Sequence, residues 1–549
     1  MATDRCFIGV DVGTGSARAG VFSADGRLLG TARHDIRTWR EGADIVEQSS
    51  DDIWAACAHA VRAAVAQAAV SADAVCGLSF DATCSLVLLD RRMRPLAAST
   101  SGDAARNIIV WMDHRAAEQA RAINATGDQV LDFVGGAISP EMQTPKLLWL
   151  KQHLPRTFDA AGQFLDLTDY LTWRATGSLA RSVCTVTCKW TYLAHERRWS
   201  DAYFRRIGLG EIVDDGYVRI GTEIVEPGTA LTQGLTITAA ASLGLRAGTP
   251  VGAGLIDAHA GGVGSIGGRG QDGTPQSPER RIAFIMGTSA CAMAVTRTQR
   301  FVPGVWGPYY SAMIPGLWLA EGGQSAAGAA IDFLVRLHPA YAATAAEAEQ
   351  RDTSVLGVLE GEAMARAGGA SAVALLASSV HVLPDFLGNR SPFADPDARA
   401  VLAGLPLDDS RDGLLQLYVA GLCGLGYGAA QILDALAGRD IALDTIVMCG
   451  GAAKSLLTRQ IIADATGLSV VLPETAEPVL LGAAMLGAVA AGAVADLGAA
   501  MATMSRDAAT TPPARGRIAV FHAAKRVVFA EMQALDRRAR EIMAGVGSP

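Results

Sequence analysis

Phe7-Ile8-Gly9-Val10-Asp11-Val12-Gly13-Thr14-Gly15-Ser16-Ala17-Arg18-Ala19-Gly20-Val21-Phe22 is the stretch that decides the fold. An apolar strand runs into a small-residue turn, and a second apolar run follows it. Ala24-Asp25-Gly26 then turns the chain into Arg27-Leu28-Leu29-Gly30. Apolar runs separated by glycine-rich turns read as consecutive strands of a meander. Ser49-Ser50-Asp51-Asp52 next opens a helix that carries Ile53, Trp54, Cys57 and Val61 at helical spacing. Val75 to Phe80 reads as another buried strand, ending at Asp81-Ala82-Thr83-Cys84. Strands alternating with helices predict an α/β protein.

The middle of the chain begins in the same way. Arg281 to Met286 is an apolar strand, Gly287-Thr288-Ser289-Ala290 a turn, and Cys291 to Val295 the next strand. Gly13-Thr14 and Gly287-Thr288 stand 274 residues apart, half of a 549-residue chain. Gly-Thr turns between strands are common, but a repeat at half the length predicts two domains of related fold. So does the length itself, which exceeds what one hydrophobic core supports. The glycine-rich segment from Gly264 to Pro278, with Asp272 and Pro275, reads as a linker. The expected division is a first domain over 1–264, a second over 279–495, and a tail over 500–549. That tail holds Thr511-Pro512-Pro513 and a terminal helix from Ile518 to Met543.

Composition narrows the function. Half of the residues are hydrophobic, which excludes overall disorder, and net charge is -8 from 47 basic and 55 acidic residues. With no dense basic tract, neither nucleic acid nor an anionic membrane is the expected partner. The 9 cysteines are scattered, and Cys184 with Cys188 has no partner pair at zinc-site spacing. Neither a disulfide scaffold nor structural zinc is expected. Val479 to Ala495, the longest uncharged stretch, is short for a bilayer span and reads as a closely packed buried helix. Met1 leads directly to Asp4-Arg5 and a strand. The expectation is a soluble, cytoplasmic protein without a signal peptide.

Three constellations carry candidate chemistry. The first turn has Arg18 where a dinucleotide fingerprint needs its third glycine, and a strand follows it instead of a helix. No Gly-Lys-Ser/Thr occurs, so the chain has no P-loop. Gly13, Thr14, Gly15 and Ser16 form either a structural turn or a nest of N–H groups and hydroxyls for phosphate, with Asp11 beside it to hold Mg²⁺ through water. Gly287 and Thr288 offer a second such loop. In Val251 to Gly262, an apolar strand delivers Asp257, either a helix N-cap or a general base for a hydroxyl; Asp257 with His259 lacks a third metal ligand. In Val447 to Ser455, Gly450-Gly451 is either a tight turn or a surface that lies flat against adenine or ribose, followed by Lys454. Glu321-Gly322-Gly323-Gln324-Ser325, Cys188-Lys189-Trp190 and Trp111 to Arg115 are polar clusters of the kind that more often solvate or cap than bind.

Taken together and in order, from about Phe7 to Ala490, these segments resemble the FGGY carbohydrate kinases of the actin, hexokinase and Hsp70 nucleotide-binding superfamily. Asp81-Ala82-Thr83-Cys84-Ser85-Leu86-Val87 is similar to the segment characteristic of D-ribulokinases. So are Trp111 to Arg115, Cys188 to Tyr192, Pro303 to Tyr309 and Gly388 to Pro392. The resemblance implies two actin-like (ribonuclease H-like) ATPase domains with an interdomain cleft, sugar against the first and ATP against the second. It implies ATP as co-substrate, Mg²⁺ near Asp11, and D-ribulose as acceptor. Asp257 matches the catalytic base. Lys189, Asp257 and Glu321 match ribulose contacts, with Thr83 and Cys84 lining the pocket and Gln324 nearby. Gly13, Thr14, Gly15 and Ser16 match the first phosphate loop, Gly287 and Thr288 the second, and Gly450, Gly451 and Lys454 the adenosine segment. Asn389 is a further candidate near the nucleotide, and Arg18 adjoins the first loop. A homodimer is the family-level expectation. Alternatives are a kinase for L-ribulose, D-xylulose, ribitol or glycerol, and a non-catalytic sugar- or nucleotide-binding protein.

Overall fold

The computed structural model describes residues 5–546. Two sheets organise it. In the first, Leu28–Asp35, Ser16–Ser23 and Cys6–Val12 form an antiparallel meander, and Val75–Ala82 and Val251–Ile256 continue parallel to it. In the second, Trp318–Gln324, Ala290–Thr296 and Arg281–Met286 form the meander, with Thr445–Cys449 and Ser469–Pro473 parallel to it. Both sheets therefore share one order, three antiparallel strands then two parallel ones, and this is the actin-like α/β fold in duplicate.

The local causes are visible. Every residue of Cys6–Val12 is buried, as expected of a strand in mid-sheet with both faces covered. Ser49 caps the helix Ser50–Ala68 by accepting from the Asp52 N–H. Gly13 N–H donates to Ser16 O at 3.1 Å, closing the hairpin.

Two helices join the lobes. Asp257–Ile266 follows the last strand of the first sheet, and Pro478–Ala490 follows the last parallel strand of the second. They cross at very short range: a Cβ on Gly264 would sit 1.9 Å from Pro478 O, and one on Gly482 1.9 Å from Ala260 O. Only glycine admits that approach. The Val479–Ala495 segment is thus a buried helix for ten or so residues, and it ends at Ala490.

The chain after Arg506 belongs to the second lobe. Asp507–Thr511 pairs antiparallel with Ser469–Pro473, and the helix Arg517–Ala544 buries Phe529 and Met532 in that lobe's core. Among the described residues one helix, Arg411–Ala437, is long and apolar enough to cross a membrane; it is the central core helix of the second lobe, with 72% of its apolar window buried.

Candidate active site

The parallel strands of the first sheet bring three carboxylates to one edge. Asp11 pairs in register with Asp81 on the neighbouring strand, and Asp257 comes immediately after Ile256, whose partner is Ala82. The carboxyl ends of parallel strands are where α/β sheets place ligands. Asp257 Oδ1 accepts its own helix's Ala258 N–H at 2.8 Å, so it occupies the start of the helix without capping it in the usual way. Burial, then the charge of Asp11, pushes Asp257 up to about 6. Asp81 is fully buried, neither of its carboxyl oxygens has a hydrogen-bond partner, and burial followed by Asp11 holds its pKa well above the usual range.

Arg18 pairs with two carboxylates. Its Nε and Nη2 donate to Asp11 Oδ2 at 2.8 and 2.5 Å, and its Nη1 donates to Glu477 Oε2 at 2.8 Å. Arg18 therefore ties the first strand to the residue preceding the joining helix Pro478–Ala490. Both contacts to Asp11 go to Oδ2, so Oδ1 is left free of Arg18, and Asp81, in register with Asp11, has two unpartnered oxygens. Hard oxygen donors clustered in this way fit Mg²⁺.

The candidate phosphate loops follow strands, one after Cys6–Val12 and the other after Arg281–Met286. In the first, Gly15 is exposed, the Thr14 hydroxyl accepts from Trp111 Nε1 at 3.0 Å, and Thr14 O accepts from Gln48 at 2.7 Å. Gly13 and Ser16 flank it, half-buried. In the second, Gly287 and Thr288 are exposed, and their carbonyls take the N–H groups of Gly328 and Ala327 at 2.9 and 2.8 Å. The diglycine is its neighbour: Gly450 has φ +90°, and a Cβ there would meet Met286 O at 2.5 Å. Gly451 and Lys454 follow in an exposed 3₁₀ turn, after which Ser455 caps the helix Leu456–Thr466.

A second cluster is assembled from both lobes. Lys189 lies on Val183–Trp190, buried, with Nζ 4.8 Å from the Trp306 ring centroid. Arg390 stands 4.3 Å from the same ring. Glu321, 4% exposed, accepts from Arg390 Nη2 at 2.9 Å through Oε1 and pairs with His259 Nε2 at 3.1 Å through Oε2. Burial opposes its charge, but Lys189, His259 and Arg390 outweigh burial and hold Glu321 far below the usual carboxylate range. Burial likewise acts against Lys189, and the neighbouring Cys84 and Glu321 keep it charged. Thr83 and Cys84, both nearly buried, form the turn beyond Asp81; the Thr83 hydroxyl is 3.2 Å from that of Ser85.

Gln324 does not join this cluster. It is three residues beyond Glu321 on one strand, so it projects from the opposite face, and its Nε2 donates to Leu425 O at 2.9 Å in the core helix of the second lobe. Asn389 bonds Asp385 at 3.2 Å, on the same side as Gln324. Within Trp111 to Arg115, Trp111 reaches the first loop, while Arg115 and Asp113 form a buried ion network with Glu47.

The family models for the FGGY family of carbohydrate kinases match residues 6–264 (N-terminal domain) and 282–491 (C-terminal domain). The chain belongs to the FGGY carbohydrate kinases. An "FGGY carbohydrate kinase domain-containing protein" of Homo sapiens is 45% identical over 508 residues, 92% of this chain and 92% of that one. A D-ribulokinase of Saccharomyces cerevisiae is 35% identical over 515 residues, 88% of this chain and 72% of that one. A crystal structure of xylulose kinase from Rhodospirillum rubrum superposes with TM-score 0.78 at 21% identity, covering 97% of this chain and 99% of that one. That last likeness carries the fold alone.

This sugar kinase thus has functional candidates that its sequence alone left unassigned: His259, Arg390, Trp306 and Asp81. His259 stands two residues after Asp257, and Arg390 and Trp306 fall in segments already similar to ribulokinases. Those adjacencies were the available signals. Cys184 and Cys188, one turn apart on Val183–Trp190, also come together with His259, 75 residues from Cys184, with donor atoms within 4.8 Å of one another.

Proposed function

We propose that this kinase transfers the terminal phosphate of ATP to the primary hydroxyl of D-ribulose, giving D-ribulose 5-phosphate and ADP, with Asp257 as general base. The observation that carries this reading is the position of Asp257 at a strand end, between Asp11 on one side and the Lys189–Glu321 cluster on the other. The 35% identity to a yeast D-ribulokinase supports D-ribulose over the other pentuloses as the sugar for this chain.

The chain's own residues divide the work. Lys189, Glu321 and Thr83 give the sugar one ammonium, one carboxylate and one hydroxyl, a set that pairs with several hydroxyls and a ketone. A sugar lacking a matching group leaves one of them buried and unpaired, which is costly. Asp257 accepts the hydroxyl proton as that oxygen attacks phosphorus; the bond to the ADP oxygen breaks, and the proton leaves to solvent after product release. A carboxyl with pKa about 6 is mostly ionised at pH 7 and holds a proton better than an ordinary carboxylate. The loops at Gly13–Ser16 and Gly287–Thr288 offer N–H groups and hydroxyls to the phosphates, and Gly450, Gly451 and Lys454 adjoin the nucleoside. Asp11 would hold Mg²⁺, which when bound would supply charge neutralisation to a transition state dominated by charge on the transferred group.

An ADP-release assay over D-ribulose, L-ribulose, D-xylulose, ribitol and glycerol tests the reading. D-ribulose is expected to give the highest kcat/KM. Preference for D-xylulose would overturn the sugar assignment, and binding without turnover would overturn the enzymatic one.

A further inference from the structure

Glu321 is held by more than the sugar pocket needs, and the extra support runs through a buried chain that the reaction itself does not use. His259 Nε2 lies 3.1 Å from Glu321 Oε2, and its other ring nitrogen, Nδ1, lies 3.0 Å from Cys184 Sγ. Cys184 Sγ also accepts the Ile256 N–H at 3.4 Å, one residue before Asp257. Cys184 and His259 are 0% and 1% exposed. The first residue of this chain shares a helix with Lys189, the second shares a helix with Asp257, and the third sits on a strand of the other lobe.

We propose that His259 is a positioning residue for Glu321, its ring locked by Cys184 so that Nε2–H always faces the carboxylate. The proposal rests on the reading of Glu321 as a sugar contact. A neutral imidazole has one N–H, and which nitrogen carries it is decided by what the other nitrogen meets. Here Nδ1 meets sulfur. Whether Cys184 gives its proton to Nδ1 or the proton stays on sulfur, Nε2 keeps its hydrogen for Glu321. Burial works against both charges, yet Cys184 is drawn below the ordinary thiol range by Cys188 and His259, while Cys184 and Glu321 raise His259. Both shifts favour a doubly protonated ring. With Arg390 on Oε1 and His259 on Oε2, the carboxylate plane is fixed from two lobes, and its remaining lone pairs take sugar hydroxyls in a set orientation.

The competing occupant of this cluster is a zinc ion ligated by Cys184, Cys188 and His259. Zn–S near 2.3 Å and Zn–N near 2.0 Å at tetrahedral angles put ligand sulfur and nitrogen roughly 3.5 Å apart. The observed 3.0 Å between Sγ and Nδ1 is shorter than that and lies within hydrogen-bonding reach.

The test compares wild type, His259→Gln, Glu321→Gln and the double variant in steady-state kinetics, with nitrogen-15 NMR of the imidazole in wild type and Cys184→Ala. His259→Gln is expected to raise KM for the sugar about tenfold or more while KM for ATP moves by less than about twofold. In the Glu321→Gln background the same change is expected to have almost no effect, because its route is gone. The Cys184→Ala spectrum is expected to show the Nδ1 signal displaced, a readout available even if a kinetic variant folds poorly. Unchanged sugar KM in His259→Gln, full additivity with Glu321→Gln, an unmoved Nδ1 signal, or stoichiometric zinc in the purified protein would each overturn the proposal. If wild type phosphorylates none of the sugars, the functional reading fails instead, and the NMR comparison still decides whether the chain exists.

Discussion

Asp257→Asn should lower activity and raise stability at once. The side chain's one hydrogen bond, from Ala258 N–H at 2.8 Å, goes to Oδ1, an acceptor that asparagine retains. The substitution therefore removes charge and basicity while keeping the local contact. Loss of a positioned base typically costs on the order of 10²-fold in turnover, about 2.7 kcal/mol of barrier. The stability term has the opposite sign. Burial and Asp11 raise this carboxyl from 3.8 to about 6, so the folded state binds the proton more tightly than the unfolded chain does. Ionising it in the folded protein then costs about 3 kcal/mol at pH 8, and about half of that at pH 5, where the folded form is mostly protonated. Asparagine never incurs this cost. Urea unfolding should give a higher midpoint for the variant at pH 8, and the gain should shrink toward pH 5. Near-normal turnover would remove Asp257 as the base; lost turnover without a pH-dependent stability gain would remove the electrostatic account of its environment.

Three further outcomes follow from the geometry. The wild-type profile of kcat/KM for sugar should fall about tenfold per pH unit below about 6, because protonated Asp257 cannot accept the hydroxyl proton; a flat profile from pH 7 down to 5 would contradict the value of about 6 given by burial and Asp11. Lys189→Ala should raise KM for the sugar well beyond KM for ATP, and equal changes would take Lys189 out of the sugar pocket. Gly482→Ala forces a methyl to within 1.9 Å of Ala260 O, and should cost about 1–3 kcal/mol in urea unfolding as the two joining helices are pushed apart; an unchanged midpoint would show that the crossing is looser than described.

The features legible from sequence are those encoded locally. The apolar run, turn and apolar run around Gly13-Thr14 specify an antiparallel hairpin whatever surrounds them, and the repeat at Gly287-Thr288 does the same for the second lobe. Ser49 announced its helix because a cap acts within three residues. Asp507–Thr511 had no such mark: Asp-Ala-Ala-Thr-Thr lacks an apolar face, and its strand conformation comes from pairing with Ser469–Pro473 far away. The Glu321 clamp was hidden for a related reason, since His259 and Arg390 reach it from 62 and 69 residues off. Cys184 and Cys188 gave no metal-like spacing because His259, their neighbour in space, is 75 residues from Cys184. Gln324 is different. Strand alternation alone places it on the opposite face from Glu321, and family position had masked that parity.

The distribution of charge between the lobes bears on how water is kept from competing with the sugar. Arg390 and Glu321 both belong to the second lobe, whereas His259 and Lys189 belong to the first. Separating the lobes would leave Glu321 with Arg390 only, and would take Lys189 from the face of Trp306. The contacts that prepare the carboxylate for a sugar hydroxyl are therefore available only when the lobes are together. Asp257 shares a helix with His259 and so moves with the same lobe. A sugar that fills the Lys189–Glu321 cluster adds its own hydrogen bonds across this divide and so favours the closed arrangement; water, too small to bridge it, does not. On the roles proposed above for Asp257, Glu321 and the two loops, base, acceptor and phosphate would be assembled by the binding of the correct hydroxyl, which would restrain hydrolysis without an additional gate.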